Sequence, residues 1–177
     1  MESSELARFE AVVLPHLDAG YTLARYLMRN DQDAEDVTQE ACLRALRHFG
    51  GFRGADDGSA RAWLLAIVRN TAYSWRHRAS AGAPETEFDE ALHSGAIADR
   101  HPEAAMLRQD ARESFRRMLD RLPPEFREVI VLRELQGLSY KEIGEVAGVP
   151  VGTVMSRLSR ARDRLQEALR EESREER

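Results

Sequence analysis

The chain has 177 residues, enough for one domain or two small ones, and its 42% hydrophobic and 32% charged composition suits a folded globular protein rather than a disordered one. No apolar run approaches the roughly 20 residues that span a bilayer, the start MESSELARFE is too polar and acidic for a secretory signal, and a lone cysteine, Cys42, excludes an intrachain disulfide. These features point to the cytoplasm without direct membrane insertion. The net charge of −5 argues against a uniformly basic nucleic-acid binder, but the charge is unevenly spread. Acids gather in 31–40, in 85–103 and after Leu165, whereas Ala60–Arg78 holds Arg61, Arg69, Arg76 and Arg78 and no acid.

In chain order, every segment reads as helix and none alternates like a strand, so the fold class is all-α. Glu5–Met28 is apolar at helical intervals through Phe9, Val12, Val13, Leu17, Leu23 and Leu27, with Pro15 and Gly20 expected to divide or kink it. Asp33–Phe49 is the next helix, opened by acids that suit the positive end of its dipole. A glycine-rich loop covers Gly50–Ser59. The helix Ala60–Arg78 has an inward stripe that includes Trp63, Leu64, Ile67, Val68 and Trp75, which makes both tryptophans core residues rather than stacking platforms.

From Ala79 to His101 the pattern fails, and a flexible linker is expected. A helix resumes near Pro102 with Met106, Leu107, Phe115, Met118, Leu119 and Leu122 inward. Pro123-Pro124 ends it, and Phe126–Leu135 is apolar at Phe126, Val129, Ile130, Leu132 and Leu135. Gly137 stops that helix, and the tail after Leu169 is expected to fray. The organisation is two small helical domains, 1–78 and 102–177, joined by the linker 79–101.

The most specific stretch is LSYKEIGEVAGVPVGTVMSRLSRARDRL at Leu138–Leu165, a helix-turn-helix. Ser139 with Glu142 three residues on forms a capping box, Gly148 suits a left-handed helix end, and Pro150 starts the second helix. Val154, Leu158, Ala161 and Leu165 face inward. Thr153, Ser156, Arg157, Arg160 and Arg164 take the other side, where hydroxyls and guanidiniums meet phosphates and base edges in a major groove. A solvated amphipathic pair is the plainer alternative; the joint occurrence of cap, turn and basic helix favours DNA.

With both halves in view, nearly the whole chain resembles the extracytoplasmic-function (ECF) sigma factors of the sigma-70 family, two-domain subunits that give bacterial RNA polymerase its promoter choice. DAEDVTQEACLRALRHF at Asp33–Phe49 resembles the family's polymerase-binding helix, RAWLLAIVRNTAYSWRHR at Arg61–Arg78 its DNA-melting helix, and Leu122–Arg162 its upstream-element domain. The resemblance implies a polymerase-binding set of Asp36, Gln39, Glu40, Leu43 and Arg44. It implies a downstream-element set of Phe52, Arg53, Arg69, Asn70, Arg76 and Arg78, with Asn70 at the position of the family's base-reading asparagine. It implies an upstream-element set of Gly152, Thr153, Met155, Ser156, Arg157, Ser159, Arg160 and Arg164. Met155 and Ser159 depart from a pattern in which the first is commonly basic and the second aromatic or histidine. The implied partners are core RNA polymerase, through its largest-subunit coiled coil and flap region, promoter DNA and an anti-sigma factor, with no small-molecule substrate.

Two other functions compete. A stand-alone helix-turn-helix regulator accounts for Leu122–Leu169 but leaves Asp33–Arg78 without a role. A small enzyme or metal protein is disfavoured because His16, His48, His77, His93 and His101 are scattered, Cys42 has no second thiol, and Gly50–Gly58 is not followed by the Lys-Ser/Thr of a phosphate loop. No metal or cofactor is expected.

Overall fold

The computed structural model describes residues 3–54, 56–82 and 102–175, and within them every regular element is a helix. The first domain contains α1 (Ser3–Val13), α2 (Leu17–Met28), α3 (Asp31–His48) and α4 (Asp57–Gly82). Pro15 lies in a single 3-10 turn, Leu14–His16, that separates α1 from α2, as its missing N–H dictates. Gly20 does not interrupt α2. It is buried there, and a Cβ at this position would lie 3.2 Å from Val68 Cγ2, so the glycine serves the close approach of α2 and α4 rather than a kink.

α3 starts two residues before the expected Asp33, because the Asn30 side chain accepts the Asp33 N–H at 3.0 Å and acts as the cap. α4 likewise begins at Asp57, inside the expected loop, where Asp56 Oδ1 accepts the Ser59 N–H at 2.6 Å. It runs on to Gly82. The linker expected over 79–101 therefore starts within a helix, and its remainder, 83–101, lies outside the described residues.

The second domain contains α5 (Pro102–Asp120), α6 (Pro124–Ile130), α7 (Tyr140–Ala147) and α8 (Val151–Glu175). Pro124 occupies the first turn of α6, where no N–H is required. A π-helical turn, Val131–Leu135, prolongs α6. Its extra residue rotates the following side chains, which explains why Leu135 is exposed although the local periodicity placed it inward. Met106 is also outward, at 68% exposure, contrary to the reading of α5. Beyond Leu169, α8 continues to Glu175 instead of fraying.

The helix-turn-helix forms as its residues require. Ser139 Oγ accepts the Glu142 N–H at 3.2 Å, and Glu142 Oε2 accepts the Ser139 N–H at 2.7 Å. Gly148 closes α7 at φ +68°, a conformation costly for any residue with a Cβ. Ile143, Val146 and Ala147 of α7 meet Val154, Leu158 and Ala161 of α8 in the core. Ser139→Ala removes one half of the capping box and is expected to cost about 1 kcal/mol, read as a shift in the denaturation midpoint of the full chain.

The two domains are in contact. α4 lies along α7, and α2 touches α5 and α6, so the buried side chains make one continuous core from Phe9 through Leu64 and Val68 to Leu119, Ile130 and Leu158.

Candidate nucleic-acid interface

The recognition helix α8 presents most of its expected face to solvent. Gly152, Met155, Ser156, Ser159, Arg160 and Arg164 are exposed and Thr153 is half-buried. Nothing lies within 4 Å of a Cβ built at Gly152, so the start of α8 is open to a ligand's backbone. Met155, at 54% exposure, adds an apolar contact to this polar surface. Arg164 is exposed but its guanidinium stacks 4.9 Å from the Phe126 ring centroid. Arg157 departs from the expected arrangement. It is half-buried, with Nη1 3.8 Å from Glu128 Oε1, so its charge is spent inside the domain.

The downstream set is more divided. Asn70 is exposed on α4, and Arg78 is exposed one face away. Phe52 is only 6% exposed; its ring stacks on Phe49 at 5.9 Å and against Trp63 at 4.8 Å, so it belongs to the core and not to a base-holding pocket. Arg53 donates to the Gly50 carbonyl at 2.6 Å and shapes the loop. Arg76 donates to the Leu27 carbonyl at 2.7 Å and ties α4 to the end of α2.

Arg69 faces inward to the second domain. Its Nε donates to Glu128 Oε2 at 2.9 Å and its Nη2 to Glu128 Oε1 at 3.3 Å, a two-pronged ion pair. Its guanidinium also covers the Tyr73 ring at 4.0 Å. Glu128 is fully buried, and burial pushes its carboxyl upward while Arg69, Tyr73 and Arg157 oppose that shift. Burial likewise raises the Tyr73 hydroxyl, with the Glu128 charge adding to it. Sequence reading did not single out Glu128 or Tyr73. The available signal was the pair Arg127–Glu128 inside an otherwise apolar helix, where buried charges require partners.

The residues expected to bind polymerase lie on α3. Asp36, Gln39 and Leu43 are exposed on successive turns, Leu43 at 54%. Glu40 and Arg44 are half-buried and pair with each other. Glu40 also accepts the Trp75 indole N–H at 2.5 Å and has Arg78 at 3.8 Å, which joins α3 to the end of α4. The Trp75 hydrogen bond, helped by Arg44 and Arg78 and opposed by partial burial, holds the Glu40 carboxyl below its ordinary 4.5. A depressed folded-state value means that this group's contribution is present above pH 4.5 and is lost as pH falls through the lowered value. Glu40→Gln should therefore melt earlier than the parent at pH 7, and the gap should close in thermal scans below pH 4.5.

Cys42 is half-buried on α3, and burial raises its thiol, away from reactivity. Among the described residues no cluster of His, Cys, Asp or Glu is arranged to hold a metal ion, and no helix is long and apolar enough to cross a membrane.

Comparison with known proteins matches both domains to one family. The model of sigma-70 region 2 matches residues 12–81 and that of sigma-70 region 4 matches 112–165. The chain is 37% identical over 171 residues to the RNA polymerase sigma-H factor of Pseudomonas aeruginosa, covering 91% of this chain and 86% of that one. It is 39% identical over 137 residues to the ECF RNA polymerase sigma-E factor of Escherichia coli, covering 74% and 71%. Among solved structures it is similar to the sigma factor RpoE of Bartonella quintana in complex with the anti-sigma factor NepR, with a TM-score of 0.72 and 29% identity over 92% of this chain and 97% of that one. A likeness that spans both domains disfavours a stand-alone regulator, and the chain belongs to the ECF group of the sigma-70 family of RNA polymerase sigma factors.

Proposed function

We propose that this sigma factor docks on core RNA polymerase through the α3 face of Asp36, Gln39, Glu40, Leu43 and Arg44, and reads promoters at two separated elements. The polymerase contact joins an exposed apolar anchor, Leu43, to flanking polar groups, and its partner is the coiled coil of the largest subunit, with the flap region engaging the second domain. Upstream (−35) recognition falls to Gly152, Thr153, Met155, Ser156, Ser159 and Arg160 at the exposed start of α8, where a helix enters the major groove. Arg157 supports that surface from behind through Glu128. Downstream (−10) reading and melting fall to Asn70 for the base edge and to Arg78 for the single-stranded backbone, while Arg69 and Arg76 hold α4 in place through Glu128 and the Leu27 carbonyl.

The observation that supports this reading is that Asp36, Gln39 and Leu43 on α3 and the start of α8 are exposed in separate domains of one chain. Each domain alone offers few phosphate contacts on an acidic chain, and joining them raises the effective concentration of one once the other is docked. The chain performs no bond chemistry of its own, since catalysis resides in the polymerase. It acts in the cytoplasm. The RpoE–NepR complex, and that of CnrH with the cytosolic domain of CnrY, to which the chain is similar at TM-score 0.63 and 26% identity over 91% of this chain and 86% of that one, support an anti-sigma factor as a further partner.

Transcription from a promoter library with purified core polymerase tests the reading. New start sites sharing two spaced elements are expected only when the chain is added. Asp36→Ala combined with Glu40→Ala should weaken core binding by about tenfold or more while leaving binding to an isolated upstream duplex unchanged. Equal loss of both activities would refute the division of surfaces.

A further inference from the structure

The exposed start of α8 carries two kinds of side chain in two rows. Val151 is 43% exposed and Met155 54%. They stand four residues apart, which makes them neighbours along one flank of the helix, with the exposed Ser159 one turn further on. Ser156 and Arg160, also four apart and exposed, form a polar row along the other flank. Gly152 lies between the rows, and nothing fills the space where its side chain would be. Val154, Leu158 and Ala161 take the inward side, so packing of the domain leaves much of the apolar row's surface unused.

Charge is directed away from the apolar row. Arg162 follows Met155 by two turns on the same flank, and its Nη2 donates to Glu134 Oε1 at 3.0 Å. That guanidinium is engaged within the domain. What the flank offers a ligand is a branched methyl pair, a thioether chain and one hydroxyl. A protein partner usually buries a broad apolar cluster behind a polar rim, whereas this strip is one side chain wide. The major groove has a feature of that size. Among the four bases only thymine carries an apolar group, its C5-methyl, on the major-groove edge. Methionine's unbranched, polarizable chain can follow such a group closely. Its place on the first turns of a recognition helix is where side chains reach base edges.

We propose that Met155, with Val151 beside it, reads a thymine of the upstream element through its C5-methyl group, so that the apolar row selects one methyl-bearing base pair and the Ser156–Arg160 row reads a separate one by hydrogen bonds. This inference rests on the reading that α8 enters the major groove of the upstream element. The two rows then differ in physical character. Arg160 adds charge attraction that weakens with salt. The methyl contact releases water from apolar surface, so its share of the specificity is independent of salt.

The test uses the full chain and upstream duplexes taken from promoters mapped in the transcription assay. Each thymine in turn is replaced by uracil, which removes the methyl group and leaves every hydrogen-bonding atom in place. At one thymine, or at two adjacent ones, uracil should weaken binding by the parent about three- to fivefold, the worth of one buried methyl group. Met155→Ala should lose that preference: it binds the thymine and uracil duplexes alike. Met155→Leu keeps an apolar chain of similar reach and should retain a preference at the same base. Arg160→Ala should bind both duplexes more weakly with the thymine-to-uracil ratio preserved. The ratio should also hold as salt is raised while overall affinity falls. Circular dichroism checks that the variants are folded, and all four readouts compare two duplexes on one protein, so a general loss of stability does not imitate the result.

An upstream element without thymine, a parent indifferent to uracil at every thymine, or an equal uracil penalty in the parent and in Met155→Ala would overturn the proposal. So would a Met155→Ala variant that loses affinity for core polymerase with its thymine preference intact, which would assign the apolar row to a protein contact. In each of these cases the upstream reading of α8 still stands if the chain prefers the mapped duplex to a scrambled one. No such preference in the parent would overturn that reading instead, and the methyl contact with it.

Discussion

Arg127→Ala is expected to destabilise the protein by about 3–5 kcal/mol, a large share of the roughly 5–15 kcal/mol that holds a typical domain together. Arg127 is 2% exposed, and its guanidinium is spent entirely on backbone oxygens. Nε donates to the Leu119 carbonyl at 2.9 Å, Nη2 to the carbonyls of Leu122 at 2.8 Å and Asp120 at 3.4 Å, and Nη1 to that of Tyr26 at 3.0 Å. Three of these acceptors lie at the end of α5 and in the turn after it, where a helix leaves its last carbonyls without partners. A cation there also meets the negative end of the helix dipole. Burial lowers the guanidinium to about 10, with Arg29 and Arg76 adding to the effect and Asp120 opposing it, so it remains charged at neutral pH.

Alanine would leave those carbonyls buried and unpaired, which is the costly half of breaking a buried network. Lysine would keep the charge but lacks the planar fork that reaches several carbonyls at once, so Arg127→Lys should recover only part of the loss. Urea denaturation of the full chain measures both. A loss below about 1 kcal/mol for the alanine variant would mean that water replaces the guanidinium at the α5 terminus.

The second large effect is on promoter binding. Arg160→Ala should weaken binding to the upstream duplex by about 1–3 kcal/mol, which is roughly 5- to 150-fold in the dissociation constant. Arg160 is exposed on α8, one turn after Ser156 and on the same side. Its fork can pair with two acceptors on a guanine edge, so the loss should be concentrated at one base pair rather than spread over all sequences. Arg160→Lys separates the contributions. It keeps the attraction to phosphate and should retain nonspecific binding, while the preference at that base pair falls. Titration of matched and single-base-altered duplexes at fixed salt reads the difference. Core-polymerase binding should not change, because α3 and α8 present separate faces.

Much of the architecture was legible locally. The capping box of Ser139 and Glu142, the left-handed Gly148 and the apolar row of Val154, Leu158 and Ala161 depend on residues within a turn or two of each other, so the helix-turn-helix could be drawn from its own letters. Leu43 was assigned to a docking face only through the family resemblance, and the structure leaves it 54% exposed. The misplaced residues share a different origin. Leu135 turned outward because a π turn altered the phase on which its placement depended. Gly20 was read as a break because its reason for being glycine, Val68, lies on another helix. Phe52 was placed in the downstream set by the resemblance, yet Phe49 and Trp63 were near enough to enclose it.

Charge showed the same boundary. Sequence placed Arg69 and Arg157 among solvent-facing cations, because their helices have polar sides. Which cation meets DNA and which meets a carboxylate depends on where Glu128 comes to rest, and Glu128 is 59 residues from Arg69. The chain by itself determined that it would be helical, where a recognition helix would start, and which family it resembles, since capping, periodicity and backbone conformation act over a few residues. Only the tertiary structure decided that the two domains meet, that Arg127 closes the end of α5, and that Arg69 is held by Glu128. Buried charges choose partners by three-dimensional proximity and desolvation, and neither of these is written in local spacing.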